Sequence, residues 1–188
     1  MITRSENVLG RDTDYLKNGI EFYITGRFAF LNKFQSSGVI FHQAFECIMK
    51  GGLIKHDRAY WNKKKLSSFG NNGHSLEDIM EAYSKACKRN PAVDVSKQIT
   101  NLDHWYRLRY PVFMQNKPNA ILMTKQFKAP HLSVEGEQNL YILALDGMDG
   151  FFKYLSETWP FDPFAALPSL NRIDSNIFFV ENPFWSIK

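Results

Sequence analysis

The stretch Gly38–Lys55, GVIFHQAFECIMKGGLIK, carries two superimposed patterns. Phe41, Ala44, Phe45, Ile48 and Leu53 recur at the spacing of one helix face. His42, Glu46 and Lys50 step at i, i+4, i+8 along a second face. A half-buried strand would alternate every second residue, so the stretch predicts a helix. Gly51 and Gly52 weaken it near its end and let another backbone approach.

Working outward, Asp12 to Gln35 predicts a preceding helix with Ile20, Tyr23, Ile24, Phe28, Leu31 and Phe34 as its stripe. Residues 56–73 read as a loop closed by Gly70-Asn71-Asn72-Gly73. Ser75 then suits an N-cap for a third helix, with Asp78 three residues on. Asn90-Pro91 stops that helix near Arg89. A fourth runs from Asp94 or Ser96 to about Tyr110, with Val95, Ile99, Leu102, Trp105 and Tyr106 on one side. After an irregular stretch in which Ala120 to Thr124 reads as a short strand, a fifth helix is expected from Val134 or Glu135 to about Thr158. The expected fold is all-α: an up-and-down bundle of four to five helices over residues 1–158. Residues 159–188 hold Pro160, Pro163, Pro168 and Pro183, which forbid a long helix. Phe161, Phe164, Phe178, Phe179, Phe184 and Trp185 gain by burial, so this C-terminal arm is expected to be extended and packed on the bundle or on a second copy.

The 188 residues fit one domain, and the 44% hydrophobic fraction with 16 Phe, 8 Tyr and 4 Trp supplies a bulky core. Met1 to Asp14 lacks a signal-peptide layout, and the apolar run Tyr141 to Leu145 is far shorter than a membrane span, so no membrane association is expected. Cys47 and Cys87 form no CxxC and read as reduced thiols of a cytoplasmic protein. The scattered His and Cys offer no metal-ligand spacing, and no glycine-rich nucleotide loop or GxSxG elbow is present. Neither metal nor cofactor is expected.

Charge is local. Between Lys50 and Lys65, Asp57 stands against six basic residues, a segment charge of +5 in a chain whose net is +4. Lys55, Arg58, Lys63, Lys64 and Lys65 interleave with Tyr60 and Trp61, the combination of a single-stranded nucleic-acid platform or of a solvated basic loop. Arg107 and Arg109, beside His104, either complement the dipole at a helix end or hold a phosphate. His42, Glu46 and Lys50 form a polar site or a packed polar helix face. His74 belongs to the turn before the third helix or titrates in a cleft.

Three blocks carry a resemblance. His42-Gln43-Ala44-Phe45-Glu46-Cys47-Ile48-Met49-Lys50-Gly51 resembles the "HQA.E..LKA" signature of HEPN domains. Gly73-His74-Ser75-Leu76-Glu77-Asp78-Ile79 resembles the "GHDL..L" opening of that family's next helix, and Leu108-Arg109-Tyr110-Pro111 its closing "RYP". The blocks stand in family order and the resemblance covers residues 12–158. It implies a compact helical bundle, often a homodimer, that acts as a ribonuclease, pairs with a nucleotidyltransferase in stress or defence systems, or serves as a binding module. The family's ribonucleases use an Arg followed, after four to six residues, by His. None of the arginines here (positions 4, 11, 27, 58, 89, 107, 109 and 172) has a His at that spacing. The expected function is a non-catalytic module recognising RNA or a nucleotide-related partner through its basic surface. The alternatives are a ribonuclease with a rearranged site, using His74 or His104 with Arg109, and a structural homodimer subunit clasped by the aromatic tail.

Overall fold

A computed structural model of the chain describes residues 10–108, 120–126, 140–166 and 172–185. It is predominantly helical. The long elements are α1 (Arg11–Leu31), α2 (Ser37–His56), α3 (Leu76–Cys87), α4 (Val93–Leu108), α5 (Leu145–Thr158) and the two-turn α6 (Arg172–Phe179). Strands β1 (Ala120–Thr124) and β2 (Leu140–Ala144) pair in parallel, Ala120 opposite Leu140 and Thr124 opposite Ala144. Among the described residues no helix is long and apolar enough to cross a membrane.

The helix 38–55 forms as its spacing requires, one residue longer at each end. It contacts α1, α3, α4 and α5. This explains why its second face is buried too: His42, Glu46 and Lys50 are all enclosed, as are Gly51 and Gly52. Close approach is built into two of its glycines. A methyl group at Gly38 would lie 2.5 Å from Trp105 of α4, and one at Gly52 would run into Tyr83 of α3. Ser75 caps α3 as expected, its Oγ accepting from the Asp78 amide at 3.3 Å.

Aromatic rings join the helices across the core. Tyr23 of α1 stacks on Phe152 of α5 (centroids 3.9 Å apart), and Phe45 of α2 stacks on Phe151 (4.2 Å). Phe178 of α6 is fully buried and meets Phe152 edge-on at 5.9 Å.

Three expectations need correction. The α1 stripe runs Ile20, Tyr23, Ile24, Arg27, whereas Phe28 and Phe34 are exposed. Arg27 occupies the position because it is paired: one Nη donates to Asp149, the other to the Val180 carbonyl, and Nε donates to the Ile177 carbonyl at 3.0 Å. The fifth helix begins at Leu145, because Leu140–Ala144 forms β2 instead. An unbroken apolar run suits a buried strand as well as a helix, and β1 supplies the pairing partner. The expected start near Val134 lies outside the described residues. In the tail, where an extended arm was expected, Arg172–Phe179 is helical. No proline falls between Pro168 and Pro183, which leaves room for two turns.

Candidate functional site

Glu46 is the hub of a polar cluster built from α2, α4 and the turn before α3. Spacing i, i+4 on α2 brings Lys50 Nζ to 2.7 Å from Glu46 Oε1. The same Nζ donates to the Gly73 carbonyl at 2.6 Å. On the other side, His74 Nδ1 lies 2.9 Å from Glu46 Oε2. His42, one turn before Glu46, is fully buried, with Nε2 3.0 Å from Asp103 Oδ1 of α4. Asp103 also accepts from the Leu76 and Glu77 amides at 3.0 and 3.3 Å, so one carboxylate caps α3 and orients His42.

The turn that delivers His74 is conformationally specialised. Asn71 and Asn72 adopt left-handed φ of 55° and 59°, and Gly73 follows at 93°. Asparagine tolerates this region better than most residues, and glycine pays no steric penalty there. The reversal presents the Gly73 carbonyl to Lys50 and the His74 ring to Glu46. The Tyr106 ring then lies against both imidazoles, 4.2 Å from His42 and 5.5 Å from His74. His42 is a packed, hydrogen-bonded residue. His74 is different, with its side chain 41% exposed. With Nδ1 held by a carboxylate, Nε2 is the nitrogen left for an incoming group.

The basic segment lies alongside. Lys55, Arg58, Lys64 and Lys65 are exposed, and Trp61 is 42% exposed. The Trp61 indole N–H donates to the Ile54 carbonyl at 2.9 Å, and its own carbonyl accepts from Arg11 at 3.0 Å, which fixes the ring at the surface. Arg58 stands 5.5 Å from the Trp61 ring centroid, and Lys65 4.3 Å from that of Tyr60. Tyr60 also stacks on Phe69 at 5.9 Å, so Trp61 is the more available ring. Segment and cluster meet at Gly73, where an added Cβ would lie 3.0 Å from Ser67 Cα. The Lys63 side chain and Arg109 lie outside the described residues. Arg107 is exposed on the last turn of α4, one turn beyond Asp103.

Asp103 escaped the sequence reading, as did the Tyr23–Arg27–Asp149 group. The available signal was a charged residue inside an apolar stripe: Asp103 falls four after Ile99, and Arg27 three after Ile24. Among the described residues no group of three His, Cys, Asp or Glu could hold a metal ion. Comparison with known proteins found no matching family model, curated protein or solved structure.

Proposed function

We propose that the chain is a non-catalytic, HEPN-like binding module that recognises RNA or a nucleotide-bearing partner through its basic surface. In this reading residues 1–158 form the up-and-down bundle, and residues 159–188 an arm docked on it or on a twofold mate. A homodimer and a nucleotidyltransferase partner belong to the same proposal, on the family resemblance. The observation that carries it is the surface around Trp61: a ring anchored through its N–H and still 42% exposed, flanked by exposed Lys55, Arg58, Lys64 and Lys65. Lysines placed so attract phosphates whatever the sequence, and the indole offers a stacking face to any base. The test is titration of a labelled single-stranded RNA across a range of salt. Replacing Lys64 and Lys65 by Ala should weaken binding to all sequences alike and lower the salt slope by roughly one unit per lost contact. Trp61→Ala should cost about 1–3 kcal/mol with the slope unchanged. Absence of RNA affinity at low salt would overturn the reading.

The His74–Glu46 pair favours a second reading, a ribonuclease with a rearranged site. An imidazole held through one nitrogen and open at the other is the arrangement of a general base. Metal-independent cleavage of mixed RNA, lost in His74→Ala, would establish it. An inert wild type would remove it.

A further inference from the structure

The basic segment carries two neighbouring aromatic rings, and they are not equivalent. Residues Arg58–Trp61 form one 3-10 turn, whose start Asp57 caps by accepting from the Ala59 amide at 2.8 Å. Such a helix advances about 120° per residue, so Tyr60 and Trp61 leave it in different directions. Tyr60 is half-buried against the core, stacked on Phe69 at an interplanar angle of 11°, with Lys65 Nζ over its ring. Trp61 faces water. A strand that lays successive bases on successive rings needs those rings free together. Here a base stacked on Trp61 has beside it a ring already in use.

Trp61 is also held before any ligand arrives. Its N–H donates to the Ile54 carbonyl in the last turn of α2, and its carbonyl accepts from Arg11 at the start of α1. Little side-chain freedom remains to be lost on stacking, so the gain is kept. Arg58 stands over the ring, which leaves the opposite face for a base. Lys55, Lys64 and Lys65 are exposed on the same segment and suit the phosphates on either side of that base.

We propose that the segment binds one unpaired nucleobase, stacked on Trp61, and holds the flanking nucleotides through their phosphates alone. Its ligand, on the RNA-binding reading of the same surface, is then a chain with a single accessible base and not a tract gripped base by base. Three oligonucleotides of one length test this on the full chain by fluorescence anisotropy at low salt. The first is abasic throughout, the second carries one central adenine, and the third two adjacent adenines. One adenine should tighten binding about 5–150-fold over the abasic strand, the worth of one stacked base. The second adenine should add no more than about twofold, the statistical factor for two registers. In Trp61→Ala the abasic and one-adenine strands should bind alike. A one-adenine strand that binds no tighter than the abasic one would overturn the proposal. So would a gain of about fivefold or more from the second adenine, since that is the least a second stacked base is worth. A preference for adenine that survives Trp61→Ala would do the same. If none of the strands binds, the RNA-binding reading itself falls and takes this proposal with it. The wild-type series decides the matter even where the variant fails to fold.

Discussion

Arg27 and Asp149, 122 positions apart in the chain, form an ion pair in which both side chains are fully buried. Tyr23 donates a second hydrogen bond to the same carboxylate oxygen at 2.6 Å. The other Arg27 donors reach the carbonyls of Ile177 and Val180. One guanidinium therefore joins α1, α5 and the end of α6. Burial pushes the Asp149 carboxyl above its ordinary range, against the opposing pull of Arg27 and Tyr23.

Removing the cation should make that carboxylate costly. Arg27→Gln should destabilise the protein by about 3–5 kcal/mol at neutral pH, as an uncompensated buried charge does. The sign with pH follows from the raised value. Folded Asp149 holds its proton more tightly than the unfolded chain, where the ordinary value is 3.8. Its contribution is therefore most favourable below that pH and is lost as pH rises through the folded value. Without Arg27 the folded value climbs further, so the variant's deficit should grow from about pH 4 towards neutrality. Urea unfolding of both proteins from pH 3 to 8 checks this, and a deficit that shrinks with rising pH contradicts it.

Glu46 should behave as a partner and not as a local contact. Glu46→Ala leaves Lys50 enclosed with only the Gly73 carbonyl, and should cost about 3–5 kcal/mol. The double replacement Glu46→Met with Lys50→Met should recover much of that loss, because a packed apolar pair needs no compensation. Denaturant midpoints of Glu46→Met, Lys50→Met and the double replacement decide between coupling and simple additivity.

The tail aromatics should differ sharply among themselves. Phe178→Ala opens a cavity at a fully buried site in contact with Phe152 and Phe164, and should cost about 3–5 kcal/mol. Phe184, 42% exposed, should change stability by about 0.5 kcal/mol or less when replaced by Ala. Equal effects at the two positions would show that α6 is not anchored through Phe178.

Cys47 should be chemically quiet. Burial, with Glu46 beside it, pushes its thiol up to about 12, and Lys50 only partly offsets this. Burial raises Cys87 as well. The reactive species is the thiolate, so iodoacetamide at pH 8 should label neither cysteine in the native protein at a rate approaching that in urea. Mass spectrometry after timed quenching reads the outcome. Rapid native labelling of Cys47 would show that the α2 face is open.

The helices were legible because 3.6-residue spacing survives in α2, α3 and α4, and because Ser75 is a local signal that needs no partner. The polar stripe His42, Glu46, Lys50 was visible as a stripe. Its convergence with His74 was not, since that depends on three successive left-handed residues at 71–73, and the Asn-Asn-Gly sequence fits several turns. Arg27, Asp103 and Asp149 were illegible for a different reason. Each stands on an apolar stripe and is tolerated only because its partner comes from a distant element. No local pattern encodes that partner. The strand at 140–144 failed in the same way, its apolar run being readable as helix until β1 is found beside it.

The Arg27 clasp also bears on the order in which the protein is made. A ribosome adds roughly 5–20 residues per second, so the Ile177 carbonyl, 150 positions downstream, follows Arg27 by about 8–30 s. Throughout that interval α1 and α2 can pair, being adjacent in sequence, while the guanidinium lacks these carbonyls and, for the first 122 residues, the Asp149 carboxylate as well. Burying that side of α1 is therefore unfavourable until residues 149–180 emerge to pair with Arg27.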